Sequence, residues 1–231
     1  MSGAYIVRSI PRAEPAALEQ LAIAGVATVH EAQGRSGLLD HNIVARQRGV
    51  RIAGSAVTVS TAPGDNLMLH AAVEVIEPGD MVVVTLTSPG IHGMFGDLLA
   101  ASMRARGCVG LVTDSAVRDI AELNEMGFPV WTRAIHAEGT VKETSGSVNM
   151  PVVFGDVPIA PGDVVVADED GVVIVERTAA VEVAEAAAGR IEKEEAMRTR
   201  LESGELGLDI YGLRQKLTDL GASWVDSAND L

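Results

Sequence analysis

An arginine and an aspartate stand side by side at Arg118 and Asp119, where a planar cation and a carboxylate could act on one small ligand. The guanidinium of Arg118 can pair with a carboxylate through two parallel hydrogen bonds. Asp119 repels the same anion, so its carboxylate would instead hold a cation. The pair therefore suggests a substrate anion beside a metal ion. The alternative is that Asp119 only complements a helix dipole, worth about 0.3–1 kcal/mol, while Arg118 is solvated.

A second feature that suits the same anionic ligand lies upstream, where a glycine-punctuated loop that starts at Gly90 leads into a helix predicted over Asp97–Arg106. Free amides and the helix dipole at such an N-terminus favour a carboxylate or a phosphate. The four amides concerned belong to Gly96, Asp97, Leu98 and Leu99.

These residues are predicted to lie in one α/β unit. The apolar run Cys108–Val112 predicts a buried strand that stops at residues 113–115. A second helix is predicted from about Ala116, with Arg118 and Asp119 in its first turn. Polar residues beyond the carboxyl ends of strands commonly form the site in such units.

Four segments in order carry a resemblance: PGDNLMLHAAVE (Pro63–Glu74), GDLLA (Gly96–Ala100), TDSAVRD (Thr113–Asp119) and GELGLDIYGLRQKL (Gly204–Leu217). They resemble the RraA-like superfamily. Within it they are similar to the 4-hydroxy-4-methyl-2-oxoglutarate / 4-carboxy-4-hydroxy-2-oxoadipate aldolases. The resemblance covers most of the chain, from about Val26 onward.

The resemblance implies an α/β sandwich, with a central and mostly parallel sheet flanked by helices. Strands Met81–Leu86 and Cys108–Val112 should then be adjacent and parallel, joined by the helix Asp97–Arg106. We expect residues 1–177 to form the catalytic domain. Residues 178–231 should form a C-terminal helical extension that completes a subunit interface.

The resemblance also implies a reaction. The aldolases cleave 4-hydroxy-2-oxo diacids of aromatic-acid catabolism to pyruvate plus pyruvate or oxaloacetate, and the same site should decarboxylate oxaloacetate. Carried over to this chain, Asp119 anchors Mg²⁺ or Mn²⁺ and Arg118 supports the keto oxygen. The amides of residues 96–99 hold the carboxylate, and Asp97 positions a water that handles the 4-hydroxyl proton.

A further catalytic group is implied from a neighbouring subunit. In the resembling aldolases an acidic residue of the C-terminal helix reaches an adjacent metal site. The matching position is Glu194, with Glu195 as the fallback. The implied assembly is a homotrimer or a hexamer of two trimers. The alternative is that Glu194 is a solvated member of an i,i+4 ion-pair lattice.

The residues favour a metal over a Schiff-base lysine as the group that stabilises a pyruvate enolate. The three lysines, Lys142, Lys193 and Lys216, all lie in polar or charged stretches. The five histidines are scattered without zinc-type spacing. Mg²⁺ often takes only one or two protein carboxylates, a requirement that Asp119 can meet.

Composition excludes several other classes of protein. The net charge of −14, from 18 basic and 32 acidic residues, predicts no binding to nucleic acid. The single cysteine, Cys108, allows no internal disulfide, and its apolar setting makes it a poor nucleophile. No apolar stretch reaches the length of a membrane span, and the first fifteen residues lack a signal-peptide core. We expect a cytoplasmic protein that does not bind membranes.

A non-catalytic function is the main alternative. The superfamily also includes regulators that bind and inhibit a ribonuclease, and an acidic chain suits a basic, RNA-handling partner. Against this alternative stands the segment from about Arg190, which those shorter regulators would not need.

Overall fold

The structure, a computed structural model, describes residues 4–227 and 229. The chain divides after Ala188 into two compact units. The role of residues 178–231 as an extension that completes a subunit interface stays a prediction. The first and last residues of the two predicted domains, residues 1 and 231, lie outside the described residues.

The strands are, in chain order, β1 (Val44–Ala45), β2 (Ile52–Thr61), β3 (Asp80–Leu86), β4 (Gly93–Phe95), β5 (Gly110–Val117), β6 (Val130–Ile135), β7 (Ser147–Val148), β8 (Val152–Phe154), β9 (Val157–Ile159), β10 (Val164–Asp168) and β11 (Gly171–Val175). The helices are α1 (Pro15–Ala32), α2 (Leu67–Val75), α3 (Asp97–Ala105), α4 (Ile120–Met126), α5 (Ala180–Glu202), α6 (Gly207–Ile210) and α7 (Leu213–Asp219). Within the described residues, none of these helices combines the length and apolar character that a membrane crossing requires.

The main sheet has the order β1-β6-β5-β3-β2-β10-β11, with β4 added to β5 and β7 added to β2. Strands β2, β3, β5 and β6 are parallel, whereas β1, β7, β10 and β11 pair with antiparallel neighbours. Strands β3 and β5 are adjacent and parallel, with Val82 opposite Leu111. Since the chain passes from β3 to β5 through β4 and α3, the predicted strand–helix–strand unit is confirmed.

Apolar side chains cover both faces of the sheet. One cluster contains Val83 and Trp131, and the Trp131 indole donates to the backbone oxygen of Asp168 at 2.7 Å. A second cluster joins the opposite face to α2 and α3 through Leu69 and Met103. A third packs α1 and the start of α5 on β10 and β11. Burial on two faces explains the continuous apolar run Met81–Val84 in the parallel strand β3.

The predicted end of the strand near residues 113–115 is wrong, because β5 continues to Val117 and α4 begins at Ile120. The polar side chains in this stretch find partners within the sheet. The Ser115 hydroxyl donates to the oxygen of His92 at 3.0 Å, and the Thr132 hydroxyl donates to the oxygen of Ser115 at 2.8 Å. Arg118 and Asp119 therefore precede α4 and do not lie in its first turn.

The second unit, described over residues 189–227 and 229, is helical. No residue in this described part is buried. Ion pairs link neighbouring segments within it, including Arg200 with Glu205 at 2.7 Å. Large apolar side chains remain exposed: Leu206, Tyr211, Leu220 and Trp224. Its helices are thus supported by local contacts and not by an apolar core.

Candidate active site

A cleft of about 300 Å³ lies among the segments that follow the four parallel strands. The start of α2 follows β2, β4 and α3 follow β3, a two-residue turn follows β5, and a long loop follows β6. The lining residues include Asn66, His70, Gly96, Asp97, Leu98, Leu99, Arg118, Asp119, Thr140 and Lys142. The cleft therefore occupies the position at which open α/β sheets bind ligands.

The turn after β5 presents Arg118 and Asp119 together. The Arg118 amide donates to the oxygen of Phe95 at 2.9 Å, which fixes the end of the strand. Asp119 adopts the left-handed conformation (φ 57°, ψ 43°), one that aspartate tolerates better than most residues. Arg118 Nε lies 3.4 Å from Asp119 Oδ2, with the two side chains 45% and 31% exposed. An ion pair this exposed contributes little stability, so both groups remain available to a ligand.

The N-terminus of α3 approaches the same carboxylate. The Asp97 amide donates to Asp119 Oδ2 at 3.3 Å, and the Leu98 amide donates to Asp97 Oδ1 at 2.7 Å. A Cβ at Gly96 would lie 2.2 Å from Asp119 Oδ2, so a larger residue at this position would displace the carboxylate. Two of the four amides that were predicted to hold a substrate anion thus already donate to protein carboxylates.

Most of the predicted site residues meet in this cleft. Gly96, Asp97, Leu98, Leu99, Arg118 and Asp119 all line it. Glu194 lies in the second unit, where its carboxylate is 2.8 Å from Arg190 Nε in an i,i+4 pair. Glu195 pairs with Arg198 at 3.5 Å. The role of Glu194 at a neighbour's site stays a prediction.

Four polar residues of the cleft escaped sequence analysis: Asn66, His70, Thr140 and Lys142. Asn66 follows strand β2, and its place just beyond a parallel strand was a usable signal. Burial, and then the charge of Lys142, lower the pKa of His70 below its ordinary value. Lys142 had no local signal, because it lies on an irregular loop whose path only the tertiary structure defines.

The cleft residues fit the Mg²⁺ or Mn²⁺ ion that the family resemblance implies. Asn66 Nδ2 donates to the oxygen of Met94 at 3.1 Å, which leaves Oδ1 buried without a hydrogen-bond partner. Together with the carboxylate of Asp119, this oxygen gives the cleft hard donors of the kind that Mg²⁺ prefers. Across residues 4–227 and 229, no three His, Cys, Asp or Glu side chains form a cluster that could hold a metal. A hydrated ion on one carboxylate suits this donor set better than zinc.

The thiol of Cys108 contributes nothing to this site. It is buried, and burial raises its pKa to about 11. The expectation that Cys108 is a poor nucleophile is therefore in keeping with its surroundings.

Comparison with known proteins gives the chain its family. The RraA-like profile, described as Aldolase/RraA, matches residues 25–174. A Halalkalibacterium halodurans protein named "Putative 4-hydroxy-4-methyl-2-oxoglutarate aldolase" is 31% identical over 107 residues, which are 46% of this chain and 51% of that protein. The chain thus spans about half the length of this curated relative.

Solved structures have the same fold. Streptomyces coelicolor RraAS2, described as an unusual member of the RNase ES inhibitor RraA protein family, is 29% identical with a TM-score of 0.74, over 83% of this chain and 100% of that one. The RNA-processing inhibitor RraA from Thermus thermophilus is 25% identical with a TM-score of 0.59, over 64% and 90% of the two chains. The predicted RraA-like α/β fold is confirmed, and the chain belongs to the RraA-like (Aldolase/RraA) family.

Proposed function

We propose that the protein is a divalent-metal-dependent pyruvate aldolase. Its substrates would be 4-hydroxy-4-methyl-2-oxoglutarate, 4-carboxy-4-hydroxy-2-oxoadipate or both, and it would also decarboxylate oxaloacetate. The observation that carries the proposal is the convergence of Arg118, Asp119 and the N-terminus of α3 in one cleft. The name of the Halalkalibacterium relative supports the same class of reaction.

The charges of the cleft match a diacid substrate. Arg118 and Lys142 both line it, so the two carboxylates of a 4-hydroxy-2-oxo diacid can each find a cation. Arg118 offers a planar fork to the pyruvyl end, where a carboxylate and a keto oxygen lie side by side. Lys142 then offers an ammonium group to the distal carboxylate. This assignment gives each end of the substrate its own partner.

The cleavage step follows from these partners. Loss of the 4-hydroxyl proton turns that oxygen into a carbonyl, the C3–C4 bond breaks, and its electron pair becomes the pyruvate enolate. Asp119 and the Asn66 oxygen would hold the metal, which supplies Lewis-acid stabilisation of the developing charge. Arg118 donates to the same charge, a contribution of about 1.5–3 kcal/mol for a charge-assisted hydrogen bond. Asp97 receives the hydroxyl proton through a water, and C3 is finally protonated to give pyruvate.

The proposal is tested by pyruvate release from both substrates, before and after EDTA and after Mg²⁺ or Mn²⁺ is restored. Asp119→Asn is the decisive variant, because asparagine also tolerates the left-handed backbone of this position. We expect it to lower kcat/KM by at least about 100-fold, since the metal-holding charge is lost. Asp170→Asn is the matched control, because Asp170 is an exposed residue of the β10–β11 turn. An EDTA-resistant wild type, or an Asp119→Asn variant with full activity, would end the proposal.

A second candidate function is inhibition of a ribonuclease. It is favoured by the likeness to RraAS2, whose description names the RNase ES inhibitor family. The same preparation, mixed with an RNase E-type enzyme and a fluorescent RNA, tests it directly. Inhibition by a preparation that releases no pyruvate from either substrate would favour this function over the aldolase.

A further inference from the structure

The loop that carries Lys142 is exposed, yet it is tied firmly to the segment before α2. Residues 141–145 are all exposed. The Val141 amide donates to the oxygen of Gly64 at 2.9 Å, and the Asn66 amide donates to the oxygen of Val141 at 3.1 Å. The loop therefore lies against residues 64–66 as a short parallel bridge.

Asp65 adds the strongest part of this connection. Its Oδ1 accepts from the Leu67 amide at 2.9 Å, while its Oδ2 accepts from the amides of Glu143 and Thr144 at 2.8 and 2.6 Å. Asp65 is only 2% exposed. Burial raises the pKa of Asp65, but the three amides outweigh burial and hold that pKa below its ordinary value. A buried carboxylate with three amide donors forms strong, charge-assisted hydrogen bonds.

Both ends of this connection reach the cleft. Asn66, next to Asp65, lines it from the start of α2, and Lys142, next to Glu143, lines it from the loop. We infer that Asp65 is a positioning residue that holds Lys142 at the cleft and thereby sets the affinity for the distal carboxylate of the substrate. The part about substrate affinity rests on the proposed function, whereas the placement of the loop does not.

The test compares two variants that lose the same kind of bond. In Asp65→Asn the side chain keeps one acceptor oxygen and presents an NH₂ group to an amide, so one of the two connections must break. Asp163→Asn is the matched control. Asp163 is 8% exposed, and its two oxygens accept from the amides of Ala160 and Arg177 at 2.8 and 2.9 Å, outside the cleft.

The first readout needs no enzymatic activity. Trypsin cleaves after lysine, so the rate of cleavage between Lys142 and Glu143 measures how firmly the loop is held. We expect Asp65→Asn to raise this rate by about 10-fold or more relative to the wild type, since a loop opens more often when charge-assisted bonds are lost. Asp163→Asn should leave the rate unchanged. Equal cleavage rates in Asp65→Asn and the wild type would overturn the positioning role.

The second readout is kinetic. Asp65→Asn should raise KM for the diacid by about 10-fold, with kcat changed by less than about 3-fold and inhibition by pyruvate unaltered, because only the distal contact is weakened. Faster cleavage after Lys142 with an unchanged KM would overturn the link to substrate affinity. An inactive wild type would instead remove the proposed aldolase function, and the trypsin result would still decide the placement of the loop.

Hydrogen exchange on the wild type covers the case in which Asp65→Asn does not fold. The amides of Glu143 and Thr144 should be protected although their residues are exposed, because both donate to the buried Asp65 carboxylate. Unprotected amides at these two positions would contradict the inference.

Discussion

The two units of the chain differ in what supports them. Residues 1–188 contain all three apolar clusters, whereas the described residues from 189 onward contain no buried residue at all. The RraA-like profile matches residues 25–174, which lie within the first unit. The fold of the first unit is specified by its own sequence, because its strands and helices bury one another's apolar side chains. The second has helices and ion pairs but too little burial of its own to offset the entropy of ordering it.

Each unit contains one of the two tryptophans of the chain. Trp131 is fully buried, and its indole donates to the oxygen of Asp168, whereas Trp224 is 69% exposed beside Arg214. Trp131→Ala should lower the free energy of unfolding by about 3–5 kcal/mol, because it leaves a large cavity. Trp224→Ala should change it by less than about 1 kcal/mol. Urea unfolding followed by far-UV circular dichroism measures both.

A large destabilisation by Trp224→Ala would mean that Trp224 packs against other parts of the protein, contrary to its 69% exposure. If that destabilisation depended on protein concentration, it would indicate that the second unit packs against another copy of the chain. Trp131→Phe serves as a milder variant where Trp131→Ala does not fold, because it removes the hydrogen bond and keeps most of the apolar volume.

The same contrast explains how much the sequence could predict. The strand–helix–strand unit around α3 was predictable because valine runs and helical spacing are local patterns. The end of β5 was not, because the buried hydroxyl of Ser115 finds its partner on a segment distant in sequence, the backbone oxygen of His92. Likewise, Arg118 and Asp119 were predictable as adjacent residues, whereas Lys142 joins them only through contacts distant in sequence.

Removal of the second unit tests whether it contributes to catalysis. A chain that ends at Ala188 keeps all residues of the three apolar clusters, so we expect it to fold with a nearly unchanged urea midpoint. If Glu194 completes a neighbour's site, pyruvate release should fall by at least about 100-fold, the contribution of a positioned acid or base. Binding of pyruvate should persist, because the cleft belongs to the first unit.

Glu194→Gln and Glu195→Gln in the full chain form the matched pair for this test. Both carboxylates are exposed and pair with an arginine of the same helix, so neither change should alter stability by more than about 1 kcal/mol. A loss of turnover in Glu194→Gln alone would support its predicted role. Full activity in the truncated chain would mean that Glu194 is only a member of a solvated ion-pair lattice.

The smallest expected effect concerns the charge of the cleft itself. Burial and the Lys142 ammonium lower the pKa of His70, so Lys142→Met should raise that pKa while the effect of burial remains. Because the folded-state pKa lies below the unfolded one, the unfolded chain binds the proton first as pH falls, and stability is lost in that range. Lys142→Met should therefore reduce the loss of stability in acid. The reduction should be small, because His70 is exposed to solvent.

An NMR titration of the His70 ring measures the pKa directly, with Lys193→Met in the second unit as the control. A pKa of His70 that Lys142→Met leaves unchanged would mean that the ammonium does not act on the imidazole and that burial alone lowers this pKa.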